Sequence, residues 1–179
     1  AVSATGRIEL LGLDGVTLTG TATVIFNNTG AAANQSISFT NASGESQSFL
    51  IDVADEARSF SAIDVQLDVL EQRLVGNFSF DIATDSTDAA ATTGDEEITV
   101  AFDNVSVALG TSTKTIVNVQ DAQGAFLLNA NGLAGTATTG NVTVDVGDGV
   151  AQTVGAVELV INTTGEAVDR EFTSAAGAA

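Results

Sequence analysis

Almost every stretch of this chain alternates apolar and polar residues with a period of two, and that rhythm leaves little room for anything but β-sheet. Val16, Leu18, Gly20, Ala22, Val24 and Phe26 share one side of an extended strand, while Thr17, Thr19, Thr21 and Thr23 share the other. The same alternation runs through residues 63–69, 74–82, 98–102, 105–109, 142–146 and 157–161. Successive side chains of a strand point to opposite faces, so such runs form half-buried antiparallel strands with polar outer faces. Val, Ile, Thr and Phe suit a pleated surface. The chain has no Pro to interrupt a ladder; its breaks come from Gly, Asn and Asp. Asp14-Gly15, Asn131-Gly132 and Asp148-Gly149 have the residue types of tight hairpin turns. These breaks predict an all-β, elongated antiparallel repeat module of about a dozen strands, built as a β-roll or solenoid or as a β-sandwich. Only residues 52–61 hint at a helical turn.

One segment occurs twice. Gly6 aligns with Gly140, Asp14-Gly15 with Asp148-Gly149, Asn27-Asn28-Thr29-Gly30 with Asn162-Thr163-Thr164-Gly165, and Phe39-Thr40 with Phe172-Thr173. The offset is 134 residues early in the segment and 135 after a single insertion. Residues 1–138 therefore read as one full repeat unit and residues 139–179 as the start of the next copy. This period is domain-sized, well above the roughly 20–50 residues of common solenoids. Repeats bury their open faces against neighbours. The expected partners are neighbouring repeats of the same polypeptide or identical subunits arranged head to tail. A shorter motif, Leu-x-Gly, recurs at Leu18, Leu74 and Leu133 and reads as a recurrent way of opening a strand.

Composition removes whole classes of chemistry. With no Cys and no His, the usual zinc, iron–sulfur, haem and copper sites have no ligands, and the common general base and thiol nucleophile are missing. Five basic residues against 23 acidic ones give a net charge of −18, which cannot neutralise a run of phosphates, so no nucleic acid partner is expected. No stretch approaches the length of a membrane span, so no membrane insertion is expected either. Sugar-cleaving carboxylate pairs are normally accompanied by aromatic stacking platforms; Trp and Tyr are absent here, and no enzyme is expected.

Carboxylates supply the candidate sites. Asp81, Asp85, Asp88, Asp95, Glu96 and Glu97 lie in or beside the low-complexity segment 81–97 and could offer hard oxygen ligands to calcium, although no EF-hand spacing is present. Read without a metal, the same residues form a solvated acidic loop. Asp14 and Asp148, each directly before Gly, read as turn residues. The Thr stripe reads as a solvated strand face, because its counterpart in the second copy shifts phase. Lys114, the sole lysine, is placed at an exposed strand end; buried beside an acid, it could instead form an intramolecular isopeptide bond. Seven Asn-x-Ser/Thr sequons, at Asn27, Asn34, Asn41, Asn77, Asn104, Asn141 and Asn162, would be glycan acceptors in a eukaryotic secreted protein.

The sequences at residues 74–80, 105–110, 121–128, 132–135 and 161–168 occur in an order that resembles a long tandem repeat of giant, acidic, secreted bacterial surface proteins. That group includes adhesin-like proteins and calcium-dependent type I export substrates. The resemblance covers residues 60–173 and, as a partial copy, residues 5–40. It implies a structural repeat of an extracellular or cell-surface protein, acting as spacer, matrix or filament building block in adhesion. The alternative it leaves open is a calcium-dependent module that binds glycan or protein partners. The Gly-Gly-x-Gly-x-Asp nonapeptides of RTX calcium rolls are absent, and the resemblance implies no catalytic residues.

Overall fold

The computed structural model describes residues 1–9, 16–70, 72–84, 96–111, 113–147 and 150–169. These form twelve strands: β1 (Val2–Glu9), β2 (Val16–Phe26), β3 (Ala33–Thr40), β4 (Ser46–Val53), β5 (Arg58–Val69), β6 (Gln72–Thr84), β7 (Glu96–Thr111), β8 (Lys114–Asn129), β9 (Gly132–Thr138), β10 (Asn141–Gly147), β11 (Val150–Val154) and β12 (Glu158–Asn162). The chain is all-β, with no helix among the described residues, and its sheets are not closed into a barrel. Ten strands make one antiparallel sheet in the order β1-β2-β5-β6-β7-β8-β10-β11. β9 also pairs with β8, and β12 with β9. Residues 52–61 hold the end of β4, a turn at Asp55-Glu56 and the start of β5, so the hinted helical turn is a reversal between strands.

The longest strands, β7 and β8, have 16 residues each, and they do not run flat. β5 gains one residue against its neighbours near Asp64, β7 near Asn104 and β8 near Asp121. Each of these three residues has a left-handed backbone, with φ of 51°, 52° and 52°. Asn and Asp tolerate that region better than other side chains, because their short polar groups can bond locally. Glycine faces the first two bulges. A Cβ on Gly20 would lie 3.2 Å from Val65 Cα, and one on Gly76 would lie 2.6 Å from Val105 Cγ2 and 3.0 Å from Val105 Cα. The Leu-x-Gly motifs begin at the second or third residue of β2, β6 and β9, and their glycines stand where backbones crowd. Extra residues bend a strand and sharpen its twist, so the aligned bulges form a crease across the sheet from β2 to β8.

Burial is modest and follows this geometry. Ala22, Ala62 and Val65 are packed at the crease, with Ile8, Leu18 and Phe78 against them. A second buried set pairs Ala101 with Ala125 and Leu127 with Ala134 across β7, β8 and β9. Cross-strand rings add contacts: Phe60–Phe80 centroids lie 6.2 Å apart, and Phe102–Phe126 centroids 6.1 Å. At the hairpin between β8 and β9, Asn129 pairs with Gly132, so Ala130 and Asn131 form the loop in place of Asn131-Gly132. The Asn129 Oδ1 accepts from the backbone N–H of Asn131 (3.0 Å) and Gly132 (3.2 Å).

β3 and β4 form a separate two-stranded ladder. One face carries Ile37, Phe39 and Phe49, with the two rings stacked at 5.7 Å, and all three side chains are exposed. The other face carries Ser36, Ser38 and Ser48, with the Ser36 and Ser48 hydroxyls 2.8 Å apart, together with the exposed Leu50.

Candidate functional site

The acidic candidates do not gather as one set. Asp85, Asp88 and Asp95 lie outside the described residues. Asp81 on β6 pairs with Thr99, and Ala83 pairs with Glu97, which places Asp81 and Glu97 on one face of the sheet. Glu96 belongs to the opposite face, where its Oε1 accepts from Arg58 Nη1 at 2.7 Å. Glu97 is 8% exposed. Among the described residues no three His, Cys, Asp or Glu side chains cluster as metal ligands do. Asp14 and Asp148 also fall outside the described residues.

Two half-exposed carboxylates are held by cations. Lys114 Nζ lies 2.8 Å from Asp145 Oδ1, with the lysine side chain 38% exposed. That bond, and the Gly147 N–H donating to the same oxygen at 2.9 Å, hold the Asp145 carboxyl below its ordinary range. Lys114 thus stands at a strand end in an ion pair. Asp68 is lowered likewise, first by the Arg73 Nε hydrogen bond at 2.7 Å and then by Gln66 Nε2 at 2.7 Å.

The crease holds a small polar cluster that alternation alone does not reveal. Asn77, 7% exposed, accepts from the Asp64 N–H at 2.9 Å and donates to Asp103 Oδ2 at 3.1 Å. Asn104 donates to the same oxygen at 3.3 Å. Asp103 Oδ1 is buried with no hydrogen-bond partner among the described residues. In the sequence Gly76-Asn77 falls inside the alternating run 74–82, and Asp103-Asn104 falls between the runs 98–102 and 105–109, so neither pair marks the cluster.

The duplicated segment has the clearest geometry. In the first copy Val2 pairs with Phe26 and Ile8 with Gly20. In the second, Thr136 pairs with Val160 and Val142 with Val154, each 134 residues on. The two hairpins therefore share one register, and the single insertion falls at Ile161, ahead of Asn162. β9 and β10 together occupy the place of β1, and β11 and β12 that of β2. The loops match atom for atom. Asn27 Oδ1 accepts from Thr29 N (3.1 Å) and Oγ1 (2.8 Å), and its Nδ2 donates to Ala31 O (2.9 Å). Asn162 Oδ1 accepts from Thr164 N (3.0 Å) and Oγ1 (2.8 Å), and its Nδ2 donates to Glu166 O (2.7 Å). These Asn-x-Thr sequons close loops through their own side chains. Asn27 is 0% exposed, so it is not open to modification; nor is Asn77.

The surroundings of the two hairpins differ. The first is backed by β5 and the β3–β4 arm, whereas the second docks through β9 and β10 on β8. Equivalent shallow grooves flank both. One, of about 260 Å³, lies among Gly135, Val160, Asn162 and Val168. The other, of about 480 Å³, lies among Ala1, Ala33, Asn34 and Ile51. No family of known proteins, no curated protein and no solved structure matches this chain.

Proposed function

We propose that this chain is a structural repeat module of a large extracellular or cell-surface protein, a spacer or filament building block in adhesion. The observation that carries this reading is the register identity of the two hairpins within one sheet. The second hairpin follows β8 as the next row, so six rows (β1, β2, β5, β6, β7 and β8) separate equivalent positions. At ~4.8 Å between strands, each unit would advance the ribbon by roughly 29 Å. The acidic, thiol-free composition suits such a role, since strong net charge keeps long assemblies soluble. No helix among the described residues is long and apolar enough to cross a membrane.

A calcium-dependent binding module is the second reading, and its support is the shared face of Asp81 and Glu97 at the two ends of segment 85–95. Thermal unfolding in EDTA and in millimolar calcium, at constant ionic strength and with light scattering in parallel, separates the two. The spacer reading expects the same melting temperature in both. A rise of several degrees in calcium overturns it in favour of cation sites in the native state.

A further inference from the structure

We propose that the outer edge of β11 and β12 is an acceptor edge for a strand with the sequence of β5, supplied by another unit of the same kind. This rests on the repeat reading above and names the partner segment which that reading leaves open. In the first hairpin, β5 covers β2 along its whole length, from Val16 opposite Val69 to Phe26 opposite Arg58. The pairing seals Ala22, 6% exposed, against Ala62 and Val65. It also brings Ala57 O to the backbone N–H of Asn27 (2.8 Å) and Ala54 O to Asn27 Nδ2 (2.8 Å). The loop asparagine is buried because the chain leading into β5 passes over it.

The second hairpin presents the same features uncovered. Ala156, 134 residues on from Ala22, is exposed, and so is Asn162 with its loop bonds already formed. Leu159 is 54% exposed and Val160 69%. Among the described residues β11 pairs with β10 and β12 with β9, and no strand lies on their other side. Residues 150–162 carry neither Lys nor Pro, the residues that usually keep an edge strand from pairing. The break at residues 155–157 divides what is one unbroken strand in β2. In the register that sets Ala62 opposite Ala156, a β5-type strand would meet Ala156 with the groups that meet Ala22, while the insertion at Ile161 sets Asn162 one residue beyond the position of Asn27.

The test uses the full chain and a fluorescent synthetic peptide of residues 53–69, which carries the carbonyls of Ala54 and Ala57 as well as β5. Both are acidic, so binding is measured at about 0.15 M salt, where like charges beyond a Debye length of about 8 Å are screened. The expected result is saturable one-to-one binding by anisotropy, with hydrogen-exchange protection confined to residues 150–162. Ala156→Arg, a change at an exposed site, should weaken binding at least tenfold. Peptides N-methylated at alternate residues provide a check that leaves the protein unaltered: one alternation should bind and the other should not. Absence of binding, protection elsewhere, or affinity unchanged by Ala156→Arg overturns the acceptor edge. The spacer reading fails separately, on the calcium melt, so the two failures are distinguishable.

Discussion

Asn27 shows how much one side chain can carry in a thin sheet protein. It is fully buried, it closes its own loop through Thr29 and Ala31, and it ties that loop to Ala54. Removing the amide frees part-buried partners at Thr29, Ala31 and Ala54 and leaves the buried Val53 carbonyl unmatched, a loss of order 1–3 kcal/mol. Asn27→Ala should therefore destabilise the chain by about 3 kcal/mol, and Asn162→Ala, whose loop is exposed, by about 1 kcal/mol. Urea denaturation of both variants checks the contrast. Acid should find another local weakness. Asp145 is lowered from an ordinary value of 3.8, chiefly by Lys114 and then by the Gly147 N–H. Its contribution is thus fully present above that value and is lost as pH falls through the lowered one. Melting curves between pH 7 and 2 should show a shallower acid limb for Asp145→Asn than for the parent, with a small effect at neutral pH because the pair is exposed.

At the scale of elements, alternation made the strands legible and hid the crease. The run at residues 105–109 begins just past the bulge at Asn104, and the run at 63–69 keeps its alternation in sequence although the bulge at Asp64 lies within it. The extra residues at Asp64, Asn104 and Asp121 look like ordinary polar positions until their neighbours are known. Bulges are set by two strands together, and a single strand's rhythm does not encode its partner's glycine. Gly76 tests this coupling, because a Cβ there meets Val105 at both side chain and Cα. Gly76→Ala should cost about 2 kcal/mol by overpacking. Adding Val105→Ala should recover only part of that, because the 3.0 Å approach to Val105 Cα persists. Gly6→Ala, with nothing within 4 Å of the new carbon, should be close to neutral and serves as the control in the same denaturation series.

For the whole molecule, the duplication was legible from its anchors, while the way the copies join was not. Matching Gly6 to Gly140 and Asn27 to Asn162 says that two segments are alike; it does not say that the second would take its place beside β8. The acidic candidates were less legible still, since adjacent carboxylates such as Glu96 and Glu97 read as one cluster in sequence and divide between two faces once they lie on a strand. The transverse run of the strands also bears on how such a ribbon meets tension. Drawn out, 134 residues reach roughly 450 Å, against the roughly 29 Å that six folded rows occupy. Pull along the ribbon would load the ladders row by row, so a unit that yields would release many times its folded length. The chain would act as stored slack, lengthening before any covalent bond is strained.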